Sequence, residues 1–129
     1  MNMAGDLAGK SGGSLNVVHD RLEGAKDADV IYAKSWGSLL RYEDPGAEQD
    51  LRDGLKDWVV DSELMSCTRR AYFMHCLPVR RNVVVSDEVI DSNRSVVLQE
   101  AENRLHAQKA ILEWIFSSAV NIVIPATAH

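Results

Sequence analysis

Two short apolar runs constrain the fold of this chain more than any other feature: Val30-Ile31-Tyr32-Ala33 and Ala71-Tyr72-Phe73-Met74. Both are bounded by polar residues and rich in β-branched or aromatic side chains, so both read as strands. The continuous run at Val30–Ala33 further reads as a strand buried on both faces. Segments with helical signals lie between and after these runs. Alternation of strands and helices implies βα units, and βα units build parallel sheets. The expected class is α/β: a partial Rossmann-like parallel sheet with flanking helices and a long C-terminal helix.

Other elements follow from local chemistry. Met1–Lys10 suits the last turns of a helix that Gly12-Gly13 breaks. Leu15–Val18 reads as a short strand. Asp20 is placed to cap a helix over Arg21–Lys26, since its carboxylate can accept from unpaired amides. Residues Lys34–Gln49 hold Gly37, Pro45 and Gly46 without period and read as a long loop, with a helical turn or two over Asp50–Lys56. Trp58–Cys67 suits an amphipathic helix. Pro78, which lacks an N–H, must end the second strand. Ser86 with Asp87 and Glu88 opens a short helix. Ser95–Leu98 reads as a last strand. Leu98, Ala101, Leu105, Leu112 and Ile115 recur at helical spacing, so a helix is expected over about Glu100–Phe116. Residues 117–129 form an apolar tail without period.

The 129 residues carry 14 Lys+Arg against 19 Asp+Glu, a formal charge of −5, and 46% apolar residues. That composition suits one soluble globular domain or part of a larger one. An acidic balance argues against nucleic acid as a partner, which needs a broad basic face. No apolar run is long enough for a membrane span. Cys67 and Cys76 do not make a disulfide framework, and no secretory leader is evident, so a reducing cytoplasm is expected. Gly5, Gly9, Gly12 and Gly13 do not form a Gly-x-Gly-x-x-Gly fingerprint after a strand, which speaks against a dinucleotide site.

Ligands of such sheets bind at the carboxyl ends of the strands. The ends here are Ala33-Lys34-Ser35-Trp36-Gly37 and Met74-His75-Cys76-Leu77-Pro78. Within Leu64–Ser86 there is no acidic residue but four arginines, Arg69, Arg70, Arg80 and Arg81. They are either solvated surface charge or an anion site beside a strand end. His75 and Cys76 are neighbours on a strand end and point to opposite faces, so His75 does not activate Cys76 directly. Cys67, His75 and Cys76 lack the paired short spacing of zinc ligands, and no metal is expected. The Cys76 and Leu77 carbonyls are candidate acceptors for a substrate amide, aimed by Pro78. Lys34 could pair with a ligand's carboxylate or carbonyl, or simply be solvated. Arg104, beside Leu105 on the last helix, either snorkels to solvent or points its fork into the cleft.

His75-Cys76-Leu77-Pro78-Val79-Arg80-Arg81-Asn82 resembles the signature of the aspartate/ornithine carbamoyltransferases. Three further stretches, Ser11–Leu15, Ala28–Gly37 and Glu100–His106, are similar to its N-acetylornithine and N-succinylornithine branch. The resemblance covers about residues 11–116. It implies the second, amino-acid-binding domain of a two-domain α/β enzyme, incomplete at its N-terminal side, with residues 117–129 unassigned. It also implies transfer of the carbamoyl group of carbamoyl phosphate to the δ-amine of N-acetyl- or N-succinyl-L-ornithine in arginine biosynthesis. No cofactor is implied, and trimers are expected for the full-length family.

Carried over residue by residue, the backbone of Cys76 and Leu77 and the side chain of Arg104 would contact carbamoyl phosphate. Arg80 would support the anion side. Lys34 and Leu77 would contact the acylornithine. The sequence contains no Ser-x-Arg-Thr-Arg phosphate-binding stretch, so the isolated chain is expected to be inactive. The alternative is a non-catalytic binding module for an N-acylated amino acid, or a half-subunit that complements another. Val84 stands where the N-acetylornithine enzymes can carry a modified lysine, which leaves the acyl group open. In the family the last helix packs toward the first domain. Without that cover its apolar stripe should be open and drive self-association.

Overall fold

The computed structural model describes residues 2–35 and 43–119, and the chain has the expected α/β character. Helix α1 (Asn2–Lys10) ends where Gly12 adopts φ +78, the left-handed conformation that glycine takes without a Cβ penalty. Helix α2 (Arg21–Ala25) starts as its sequence dictates: the Asp20 carboxylate accepts from the Leu22 and Glu23 amides at 2.9 and 2.8 Å. Strand β1 (Val30–Tyr32) follows. Then come α3 (Pro45–Asp53), α4 (Ser62–Ser66), strand β2 (Tyr72–Met74), α5 (Asp87–Ile90) and α6 (Val97–Ala119).

The two strands pair in parallel, Val30 with Tyr72, Ile31 with Phe73 and Tyr32 with Met74. This register decides burial, because alternate residues point to opposite faces. Phe73 is fully buried and Ile31 packs against the core, whereas Val30, Tyr32 and Tyr72 are about half exposed. The expectation of a strand buried on both faces therefore fails: the sheet buries one face. The core gathers Ala25, Val60, Leu64, Ala71, Phe73 and Val85 with their neighbours. Burying Phe73 alone contributes about 1.5–3 kcal/mol relative to exposure.

Other expectations are corrected by competing local chemistry. Leu15–Val18 is not a strand; Leu15 and Val17 are exposed and no described backbone pairs with them. The segment expected as a loop up to Gln49 becomes helical at Pro45, because Asp44 caps the Ala47 amide at 3.0 Å and proline suits the first helical position. The helix expected from Trp58 starts only at Ser62. Val60 is instead committed to a parallel bridge with Val85, and Asp61 accepts from the Leu64 amide at 2.9 Å. Ser95–Leu98 reduces to one parallel bridge, Ser95 with Phe73, before α6 begins at Val97. Trp36, Gly37 and the residues from 120 onward, including the end of the apolar tail, lie outside the described residues.

Helix α6 runs longer at both ends than its apolar period suggested. Only its first turn enters the core, through Val97. The stripe of Leu98, Leu105, Leu112 and Ile115 is exposed, at 74, 58, 53 and 47%. Among the described residues no helix of the chain is long and apolar enough to cross a membrane.

Candidate functional site

The parallel strands end side by side, and the Ala33 amide extends the ladder by donating to the Met74 carbonyl at 3.0 Å. Lys34 and Cys76 come next in their respective chains. Lys34 Nζ lies 3.1 Å from Cys76 Sγ. This contact with the Lys34 ammonium holds the Cys76 thiol below its ordinary pKa, and the Cys76 thiolate raises that of Lys34 in return. The ammonium also sits 5.9 Å from the centre of the Tyr32 ring, at the outer limit of cation–π attraction. The Tyr32 hydroxyl donates to Glu100 of α6 at 2.9 Å, which raises the phenol pKa. A polar chain thus joins α6 to both strand ends.

His75 points the other way and is 1% exposed. Its Nδ1 accepts from the Leu77 amide at 3.0 Å. An imidazole that accepts at Nδ1 is neutral with its proton on Nε2. Burial, reinforced by the charge of Lys34, lowers its pKa. Leu77 takes φ +45, a conformation rarely adopted by a branched side chain, and its bond to Pro78 is cis. The loop is thus held from beneath by a buried histidine, and residues in sparsely populated backbone regions cluster where a structure positions ligands.

Beyond this loop opens a cleft of about 1060 Å³ between it and α6. Cys76, Leu77 and Arg104 all line it. The structure therefore brings together three of the predicted site residues from sequence positions far apart. Lys34 does not line this cleft; it touches Cys76 and lines a second pocket of about 340 Å³ with Tyr32, Arg21, Trp58 and Val84. Arg80 is not in this group. It lines a different pocket with Arg52, Lys56 and Asn82. Arg81 takes its place at the cleft, but its guanidinium is held by Asp87 and Asp91 at 2.6–2.8 Å. Arg80 instead opens a turn, its carbonyl accepting from the Val83 and Val84 amides at 3.3 and 3.0 Å.

Sequence reasoning missed Tyr32, Glu100 and the holding role of His75. The spacing of Tyr32 and Lys34, two apart, was a usable signal that they share a side of the strand. The His75–Leu77 bond had none, since it depends on a local backbone turn. Among the described residues no group of three His, Cys, Asp or Glu side chains gathers as a metal site would require.

A parallel βα arrangement with a cleft at its strand ends is shared by many proteins, so the fold alone does not assign a family. A profile of the aspartate/ornithine carbamoyltransferase Asp/Orn binding domain matches residues 1–115. The chain belongs to that family. It is 44% identical over 119 residues to an N-acetylornithine carbamoyltransferase of Xanthomonas axonopodis pv. citri, covering 92% of this chain and 35% of the relative. It is 48% identical over 111 residues to an ornithine carbamoyltransferase of Ignicoccus hospitalis, covering 84% and 34%. The crystal structure of an N-acetyl-L-ornithine transcarbamylase superposes with a TM-score of 0.80 at 45% identity, covering 86% of this chain and 34% of that one. A variant of such an enzyme, with the same score and identity and covering 86% and 33%, was solved with carbamyl phosphate and N-succinyl-L-norvaline. The chain spans about a third of the length of these relatives.

Proposed function

We propose that this chain forms the amino-acid side of a carbamoyltransferase. The enzyme moves the carbamoyl group of carbamoyl phosphate to the δ-amine of N-acetyl- or N-succinyl-L-ornithine, a step toward arginine. The observation that carries this reading is the convergence of the positive-φ Leu77 loop, Cys76 and Arg104 on one cleft, with Lys34 in contact with Cys76. Backbone groups of Cys76 and Leu77 orient the carbamoyl group, and the Arg104 fork faces the phosphate oxygens. Lys34 and Leu77 meet the acylornithine. Transfer builds negative charge on an oxygen and expels phosphate, so fixed donors and cations beside two aligned reactants are what the chemistry needs. No cofactor enters.

Two further parts of the reading concern the assembly. These residues occupy the second domain, and the phosphate-binding segment lies outside them, so the isolated chain is inactive. The working enzyme is a cytoplasmic homotrimer. The 48% identity to an ornithine carbamoyltransferase favours one rival reading, with free ornithine as the acceptor.

The test measures ureido product from carbamoyl phosphate with N-acetylornithine, N-succinylornithine or ornithine. The chain is assayed alone and co-expressed with the first two-thirds of the Xanthomonas axonopodis relative. Silence alone and acylcitrulline in the co-expressed pair support the proposal. Preference for free ornithine selects the rival. Turnover by the chain alone overturns the claim that it needs a partner segment. Saturable binding of an acylornithine by a chain that stays silent in the pair points to a binding module.

A further inference from the structure

We propose that Lys34 and Cys76 form a peroxide-driven sulfenamide, a reversible covalent S–N link across the two strand ends. The proposal is independent of which reaction the cleft serves. Its basis is placement. Lys34 follows β1 and Cys76 follows β2, and the paired strands with the Ala33-to-Met74 hydrogen bond fix their backbones side by side. The nitrogen and sulfur are already 3.1 Å apart. Cys76 lines the open cleft, so a molecule as small as hydrogen peroxide reaches it. Cys67 is differently placed: it caps α4, and its thiol faces the Glu63 carbonyl at 3.6 Å.

The steps balance. The Cys76 thiolate attacks one peroxide oxygen; an S–O bond forms, the O–O bond breaks and hydroxide leaves. Sulfur is oxidised by two electrons and the peroxide is reduced. Oxidation removes the negative charge that held the Lys34 proton, and the ammonium passes that proton to the hydroxide, giving water. The Lys34 lone pair then attacks the sulfenic sulfur. The S–N bond forms, the S–O bond breaks, and the hydroxyl leaves with one amine proton as a second water. Two equivalents of a small thiol reverse the link, restoring thiol and amine and leaving a disulfide of the small thiol. A nearby nitrogen thereby stops sulfur at a recoverable level before sulfinic acid forms.

The experiment exposes the purified protein to equimolar hydrogen peroxide and follows intact mass and peptides cut at aromatic residues. The expected product is two hydrogens lighter than the reduced protein and contains the Lys34 peptide joined to the Cys76 peptide. It disappears on adding dithiothreitol. It is abolished in Lys34→Arg and Cys76→Ser and retained in Cys67→Ser, with circular dichroism confirming that each variant is folded. Loss of the product in Cys67→Ser would identify a disulfide and overturn the proposal. So would a linked pair that retains an oxygen, a sulfinic acid at Cys76, or the same mass change persisting in Lys34→Arg.

Discussion

Replacing His75 by leucine should destabilise the protein and at the same time remove part of its pH dependence. His75 is buried, and its Nδ1 is the acceptor for the Leu77 amide at 3.0 Å. Leucine keeps the bulk but leaves the Leu77 N–H unpaired, a cost of about 1–3 kcal/mol that removing the buried, unpartnered Nε2–H of His75 offsets in part. Against urea m-values of small proteins this is a fall of roughly 1 M in the midpoint. Acid attacks the same bond. A proton on Nδ1 sets two donors against each other, and burial holds the folded pKa below the ordinary 6.5. The unfolded chain therefore binds this proton more readily than the fold does. Stability is full above about pH 6.5 and falls as pH drops toward the depressed folded value. In His75→Leu that loss has already occurred, so its profile between pH 8 and 5 should be flatter and approach the wild type at the acid end. Urea unfolding at several pH values, followed by far-ultraviolet circular dichroism, gives both curves. A leucine variant that keeps the full wild-type slope would show that the proton is taken up elsewhere and would sink the argument.

Three more outcomes are expected. Asp20→Ala removes the acceptor of two amides at the start of α2 and should cost about 1 kcal/mol, read from the urea midpoint; no change would mean water replaces the cap freely. In the co-expressed carbamoyltransferase, Arg104→Ala should raise the KM for carbamoyl phosphate at least tenfold. Arg80→Ala, whose side chain lines another pocket, should have a much smaller effect, and equal effects would refute the geometric distinction. The exposed stripe on α6 should drive self-association at micromolar concentration, and Leu105→Glu with Leu112→Glu should suppress it in light scattering; a wild-type monomer would contradict this.

Local signals were legible wherever one residue's chemistry sufficed. Asp20 announced α2, Gly12 ended α1, and the two apolar runs became the two paired strands. Lys34, Cys76 and Leu77 drew notice because strand ends of parallel sheets collect ligand chemistry, and Arg104 through the family resemblance of its helix. Segments without a partner misled: Leu15–Val18 has strand composition but no backbone to pair with, and Val60 left its expected helix because Val85 offered a bridge.

The sequence by itself determined the class of fold, the Asp20 cap, the two paired strands and the family signature, since these depend on residue type and short spacing. Only the tertiary structure decided which face of β1 is buried and that Arg81 rather than Arg80 reaches the cleft. It alone placed Lys34 against Cys76 and His75 beneath Leu77. The physical reason is that such contacts are set by strand register and backbone turns. A shift of one residue in register reverses every side chain, and no local propensity encodes that choice.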